Sequence, residues 1–204
     1  MSESSCVSGA PQRLVPLALR GEWMALEQKI KTLERGDPDI LQCDEESGLS
    51  LLMLAVRESR LSVLDRLLEL GANPSDKTKD GRSALHIAAA HSKDEIVKLL
   101  VRKTDPNSPA GPNDQLPLHY AASRSTGGLA VVQTLLKFSS KDARLTPDKA
   151  NGDTALHICC RRRDVEMAKI LVEFGANPDS QNVSKTLKQR HFQNAYLVFI
   201  SPVL

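Results

Sequence analysis

The sequence predicts an all-α solenoid in which pairs of helices stack along one axis. A leucine recurs in similar surroundings at Leu52, Leu85, Leu118 and Leu156, in the segments SLLMLAVR, SALHIAAA, LPLHYAAS and TALHICCR. The intervals between these leucines are 33, 33 and 38 residues. Composition agrees with such a fold, because 41% hydrophobic residues suffice for a core and 3% aromatic residues leave it to Leu, Val, Ile and Ala.

A second pattern repeats at the same interval. Apolar residues recur at i, i+1, i+4 and i+5, as expected for one face of a packed helix. The four segments are Val63-Leu64-Leu67-Leu68, Ile96-Val97-Leu100-Val101, Val131-Val132-Leu135-Leu136 and Met167-Ala168-Leu171-Val172. A head motif of the T-P-L-H-x-A type at intervals of about 33 residues is typical of ankyrin repeats. We therefore predict an ankyrin-repeat solenoid of about five helix-turn-helix units.

The array is predicted to cover residues 14–182, with units at about 14–47, 48–80, 81–113, 114–151 and 152–182. The first unit is divergent: its segment LALRGEWM aligns with LAVRESRL of the second unit. An array needs an atypical end unit to shield its first core layer. Trp23 is interpreted as a core residue of this unit, and the alternative is an exposed anchor for a partner.

The two ends of the chain do not follow the repeat. Residues 1–13 are small and polar, and we expect a disordered lead. After Asn182, Lys185, Gln189 and Arg190 stand where another unit would have glycine, leucine and histidine. The tail 183–204 is either a makeshift cover for the last repeat or a non-native end produced by truncation or read-through. We favour the second because a cap should present a polar outer face.

Local signals place the turns of the second and third units. Gly71 is expected to end a helix in the left-handed conformation. The Asp80-Gly81 dipeptide suits the hairpin tip between units, and Ser83 is a good N-cap for the helix that follows.

The 38-residue interval requires extra residues in loops. We assign about two of them to Thr126-Gly127-Gly128 and about three to the loop KDARLTPDKANGD, because insertions in loops cost little. These loops distinguish the array from a plain one, so a partner could recognise them. The alternative is a repeat that is missing from a longer parent.

Charge and cysteine content argue against several functions. A net charge of +2, with 25% charged residues, favours neither nucleic acid nor an anionic membrane. No stretch approaches the about 20 apolar residues of a membrane span, and the start does not resemble a secretory signal. The spacing of Cys6, Cys43, Cys159 and Cys160 indicates neither a disulfide framework nor a zinc site, so we expect a cytoplasmic chain without cofactors. Cys159 and Cys160 occupy positions of small core residues, which favours packing over redox or metal chemistry.

Three histidines recur, one in each of three units. His86, His119 and His157 each lie three residues after Ser83, Leu116 and Thr154 respectively. A hydroxyl at that earlier position can exchange hydrogen bonds with the imidazole and the backbone, so Ser83, His86, His119, Thr154 and His157 are interpreted as structural. Leu116 lacks the hydroxyl. Successive histidines should lie about one repeat apart (roughly 10 Å), too far to share a metal.

Arg161, Arg162 and Arg163 form the densest basic run of the sequence. They could bind an acidic partner or a phosphate group, but basic residues at a solvated helix end are the more favoured interpretation. The sequence contains no phosphate-binding glycine loop, nucleophile elbow or paired-carboxylate motif, so we do not expect an enzyme.

Several segments go beyond a generic repeat: WMALEQKIKTLERG, LMLAVRESRLSVLDRLLELGAN, SALHIAAAHSKDEIVKLLVRK and ANGDTALHICCRRRDVEMAKILVEFGANPDSQN. They resemble the start of the ankyrin region of the no-mechanoreceptor-potential-C type of transient receptor potential channels. In that family a long cytosolic array precedes a six-helix cation pore in a tetramer and is thought to be a gating spring tethered to microtubules. This sequence departs from the family in having about five units and no pore.

The resemblance implies a protein-interaction scaffold on the cytosolic side of a membrane, with a cytoskeletal partner such as microtubules. The alternative is a soluble ankyrin adaptor that binds a signalling protein through its hairpin tips and first helices. Both interpretations expect a protein partner and neither expects nucleic acid or membrane insertion.

Overall fold

The protein is an all-α repeat solenoid; its structure, a computed structural model, describes residues 14–91, 94–124 and 128–182. The helices in this part are α1 (Leu14–Leu19), α2 (Trp23–Thr32), α3 (Leu51–Arg57), α4 (Leu61–Leu70), α5 (Ala84–His91), α6 (Asp94–Leu100), α7 (Pro117–Ala122), α8 (Gly128–Phe138), α9 (Lys141–Leu145), α10 (Ala155–Arg162) and α11 (Val165–Glu173). A short 3-10 turn covers Pro38–Leu41. The expected disordered lead and the tail interpretations concern residues outside the described ranges.

The helices form two layers. The first helices of the pairs pack side by side, α1 on α3, α3 on α5, α5 on α7 and α7 on α10. The second helices form the other layer, in which α2 contacts α4, and α8 contacts both α6 and α11. Each of the four recurring leucines is the second residue of its helix and at most 4% exposed, as expected for successive equivalent layers: Leu52, Leu85, Leu118 and Leu156.

The divergent first helix pair shields the N-terminal end of the core. Leu14, Leu17 and Leu26 are buried, and Trp23 is 6% exposed. The Arg60 guanidinium of the next pair lies 5.4 Å from the centre of the indole ring, a cation–π contact. The interpretation of Trp23 as a core residue is therefore confirmed.

Turn residues have the conformations that the sequence indicates. Gly71 ends α4 with φ 101°, and Gly81 has φ 79° in the hairpin before α5. A side chain at either position would be disfavoured, since L-residues seldom adopt positive φ. Ser50 caps α3 by accepting a 3.3 Å hydrogen bond from the Met53 amide.

The longer interval contains a helix that the sequence analysis treated as loop. Ser140 caps α9 through a 3.1 Å hydrogen bond from the Ala143 amide to its hydroxyl. Arg144 of α9 donates to the carbonyls of Leu136 and Ser139, at 2.8 and 3.0 Å, and to that of Phe174 at 2.8 Å. One guanidinium thus joins the C-terminal ends of α8 and α11. Of the expected insertion at Thr126-Gly127-Gly128, only Gly128 lies in the described part.

Candidate partner-binding surface

Hairpin tips precede the first helices α3, α5, α7 and α10. Isolated antiparallel bridges close three of them, between Cys43 and Ser50, Lys77 and Ser83, and Ala110 and Gln115. The Asp148 amide closes the fourth by donating to the Asp153 carbonyl at 2.9 Å. The tips therefore recur at one end of the first helices, in the same order as the helices.

Main-chain hydrogen bonds join each tip to the next. The Lys79 amide donates to the Ser47 carbonyl at 3.2 Å, the Gly111 amide to the Asp80 carbonyl at 2.9 Å, and the Lys149 amide to the Asn113 carbonyl at 2.8 Å. These bonds hold the four tips as one continuous edge. A side chain on one tip consequently has a fixed position relative to those on the others.

Carboxylates outnumber basic groups on this edge. The acidic residues are Asp44, Glu45, Glu46, Asp80, Asp114, Asp148 and Asp153, and the basic residues are Lys77, Lys79, Arg82 and Lys149. Two of the basic groups are engaged in ion pairs, Arg82 with Asp80 at 2.7 Å and Lys149 with Asp114 at 2.5 Å. Asp148 and Asp153 are buried, and the remaining carboxylates of this set lie on the first tip, which has no basic residue of its own: Asp44, Glu45 and Glu46. The first tip therefore favours a partner with positively charged groups.

Tyr120 of α7 lies behind the tips and is half-buried. Its ring meets the His86 ring edge-on, with centroids 5.7 Å apart and planes at 86°. Burial raises the pKa of the phenol; the charge of Arg82 lowers it, and that of Asp80 raises it, by smaller amounts. Its hydroxyl is so close to Gly111 that a Cβ there would lie 3.2 Å from it. Tyr120 therefore has an anchored position and an accessible face, which suits a contact residue at an interface.

The recurring histidines tie the first helices to neighbouring loops. The Ser83 amide donates to His86 Nδ1 at 3.2 Å, and the Ser83 hydroxyl lies 2.8 Å from the same nitrogen. His86 Nε2 lies 3.0 Å from the Ser108 carbonyl. Because Nδ1 accepts from an amide, the proton is on Nε2 and is donated to Ser108. This arrangement occupies both ring nitrogens of His86.

The other two histidines repeat parts of this arrangement. His119 Nδ1 accepts from the Leu116 amide at 3.0 Å, and its Nε2 lies 3.1 Å from the Thr146 carbonyl. Leu116 contributes its amide alone, since leucine has no hydroxyl. His157 Nδ1 accepts from the Thr154 amide at 3.2 Å, with the Thr154 hydroxyl at 2.8 Å. Burial lowers the pKa of His86 to about 4 and also lowers the pKa of His119.

The three arginines of the basic run have different surroundings. Arg161 pairs at 2.5 Å with the carboxylate of Asp153, which is fully buried. Arg162 donates to the Ser123 carbonyl at the end of α7. Arg163 is exposed and ends α10 in the left-handed conformation, with φ 59° and ψ 30°. Their role in partner binding stays a prediction.

The carboxylate of Asp153 is the centre of a polar group that sequence reasoning missed. Besides Arg161, it accepts a 2.8 Å hydrogen bond from Asn182, the last described residue. The Asp153 amide donates to the Asp148 carboxylate at 3.1 Å, and Gln115 donates to the same carboxylate at 3.1 Å. A buried carboxylate requires such partners. The sequence offered one indication of this group: Asp153 is acidic, whereas the equivalent positions of earlier units hold Arg82 and Gln115.

Cysteines and metal-binding groups give no further site within the described ranges. Cys159 is buried, and burial raises the pKa of its thiol above the usual range, while burial raises the pKa of Cys160 to about 11. Both shifts disfavour the reactive thiolate. The described residues contain no group of three or more His, Cys, Asp or Glu side chains that could hold a metal ion. None of the described helices is long and apolar enough to cross a bilayer.

A family model described as ankyrin repeats matches residues 23–110 and 104–182. The chain belongs to the ankyrin-repeat family. Members of this family are typically protein-interaction modules rather than enzymes, in agreement with the repeated layers and the continuous tip edge.

The curated relatives of this ankyrin-repeat chain include two kinds of larger protein. Inversin of Mus musculus is 30% identical over 161 residues, which is 78% of this chain and 14% of Inversin. Neurogenic locus notch homolog protein 2 of Homo sapiens is 32% identical over 139 residues, 68% of this chain and 5% of that protein. The chain therefore spans a small part of these relatives, and the similarity concerns the repeats.

Proposed function

We propose that this ankyrin-repeat chain is a cytoplasmic adaptor that binds another protein through its hairpin tips and the adjoining face of its first helices. The observation that carries the proposal is the unbroken line of main-chain hydrogen bonds from tip to tip. It presents Glu46, Lys79, Asp80 and Lys149 on one rigid edge, so little ordering is needed when a partner binds.

The chemistry of the edge indicates the kind of partner. The three carboxylates of the first tip, Asp44, Glu45 and Glu46, favour basic groups. The accessible face of Tyr120 favours an apolar side chain between them, because tyrosine offers a large contact area with few rotatable bonds. We therefore propose a basic protein segment with an apolar residue as the ligand of this surface.

Photo-crosslinking tests the surface. The photoreactive residue p-benzoylphenylalanine is placed at Tyr120 in one variant and, as the control, at Lys137, which is exposed on the second helix α8. After irradiation with candidate partners in cell extract, a defined adduct is expected at position 120. Mass spectrometry identifies the bound protein. The same adduct at position 137, or none at position 120, would contradict the proposal.

The more specific interpretation as a channel tether stays a prediction. It is supported only by the resemblance of four sequence segments to that channel family, whereas the relatives Inversin and notch homolog protein 2 agree better with the adaptor alternative. A microtubule tether would need contacts with an acidic polymer, and the first tip is itself rich in carboxylates. Co-sedimentation with microtubules at low salt is the test, and absence of the chain from the pellet would argue against a tether.

A further inference from the structure

The turns that join the two helices of each pair form a second edge, at the opposite end of the first helices from the tips. We call it the turn edge. Its first two turns carry Arg20, Arg57 and Arg60, and its last two carry Arg124 and the run 161–163. The turn edge is thus rich in arginine, whereas the first tip carries three carboxylates.

Local partners occupy the arginines of the first two turns. Arg20 pairs with Glu22 at 3.0 Å and Arg57 with Glu58 at 3.2 Å. Arg60 lies over the ring of Trp23. Arg20 and Arg57 are therefore paired with carboxylates, whereas Arg60 packs on the indole ring and keeps its charge.

The last turn retains positive charge. Arg161 is neutralised by Asp153, but Arg162 donates to a carbonyl, which is uncharged. The carboxylate of Asp164 accepts from the Met167 amide at 3.1 Å and so serves as the N-cap of α11. The last turn thus holds two guanidinium groups, those of Arg162 and Arg163, and one carboxylate, that of Asp164, so its net charge is positive.

An apolar side chain is exposed at the start of α8. Leu129 lies in the first turn of α8 and is 37% exposed. The start of α8 is pressed against α11, since a Cβ on Gly128 would be 2.9 Å from the terminal carbon of Met167. Leu129 therefore follows a residue that contacts the first turn of α11, the helix whose N-cap Asp164 comes directly after Arg163.

The backbone conformation of Arg163 allows the effect of its charge on binding to be separated from its effect on stability. Its φ of 59° is in the left-handed region, which disfavours any residue with a Cβ, and glycine is the usual residue at such a helix end. Ser59 has φ 54° in the corresponding turn between α3 and α4. Replacement of either residue by glycine should relieve the same backbone cost, but only one replacement removes a charge.

We propose that Arg162, Arg163 and Leu129 form a docking surface for an acidic peptide segment that carries an apolar side chain. Carboxylates pair with the guanidinium groups, and the apolar side chain packs on Leu129. Nucleic acid fits less well, because affinity for a duplex comes from neutralising several phosphates and this surface offers only two guanidinium groups. This inference goes beyond the proposed function, since it concerns the opposite edge and a ligand of opposite charge.

The experiment measures binding of a fluorescein-labelled peptide of glutamates around one leucine to the full 204-residue chain by fluorescence anisotropy. Binding is expected at low salt and should weaken strongly at high salt, because exposed charges are screened. Arg163→Gly should raise the melting temperature and yet weaken peptide binding about twofold to fivefold. Arg162→Ala should weaken binding by a similar factor.

Ser59→Gly is the matched control. It should raise the melting temperature in the same way and leave peptide binding unchanged. The proposal is overturned if the peptide fails to bind at low salt, if Arg163→Gly binds as tightly as the unaltered chain, or if Ser59→Gly weakens binding equally. None of these outcomes bears on the tip edge, so failure here is distinct from failure of the adaptor proposal.

Discussion

His86 and His119 link the start of a first helix to the loop that leads to the next hairpin, and each ring is neutral in that position. In both, Nδ1 accepts a backbone amide and Nε2 faces a carbonyl. A second proton on the ring would remove the acceptor at Nδ1 and place a charge in a buried site. His86 and His119 therefore couple the fold to pH.

We predict that stability falls as the pH is lowered from about 6.5 towards 4. Burial lowers the pKa of His86 to about 4 in the folded chain, below its usual value of 6.5, so the unfolded chain takes up the proton first. The contribution of His86 is complete above the unfolded pKa and is lost as pH falls towards the folded pKa, by on the order of 1 kcal/mol per pH unit. Urea denaturation at several pH values measures the free energy of unfolding.

The exposed His91 provides the control for this prediction. His91→Gln should keep the same pH dependence, because the lost stability comes from the buried rings. A free energy of unfolding that stays constant between pH 7 and pH 5 would show that the neutral rings contribute nothing.

At the scale of a single element, α9 gives the 38-residue interval between Leu118 and Leu156 a structural role. The insertion was expected to be a loop that a partner could recognise, but its Arg144 satisfies carbonyls at the ends of α8 and α11 and lies 5.8 Å from the Phe174 ring. Basic groups at helix C-termini are favoured by the helix dipole. The insertion thus fastens the last two helix pairs together.

We predict that Arg144→Ala lowers the free energy of unfolding by about 2 kcal/mol, since it removes three charge-assisted hydrogen bonds to carbonyls. Arg144→Lys should recover only part of the loss, because one ammonium group cannot reproduce the three hydrogen bonds that the planar guanidinium donates. Thermal or urea unfolding followed by circular dichroism gives the values.

Lys141→Ala, on the exposed side of the same helix, should leave stability nearly unchanged. Equal effects of Arg144→Ala and Lys141→Ala would indicate that α9 contributes only its helical propensity.

At the scale of the whole molecule, the repeat interval predicts which helices form each layer. It does not predict the polar contacts between neighbouring repeats. Leu85 and Leu118 could be placed because each repeats its neighbour's surroundings, and apolar spacing in α4 and α8 gave the second layer. The five-residue helix α9 is too short to show the apolar periodicity of a helix, so the sequence predicts a loop there.

The contacts of Arg162 with Ser123 and of Asp153 with Asn182 join residues 39 and 29 positions apart in the chain. They depend on the relative rotation of layers, which a hydrophobic pattern does not specify. For this reason the sequence identified the basic run but not the partners that distinguish its three arginines.

Because the bonds between tips use only amides and carbonyls, the edge keeps its geometry whichever side chains it carries. Gly48, Gly81, Gly111 and Gly152 have positive φ and must be retained, but positions such as 46, 79, 113 and 150 are open to exchange. A library randomised at those positions would vary recognition without altering the framework, so the chain could be a starting point for selecting binders of chosen targets.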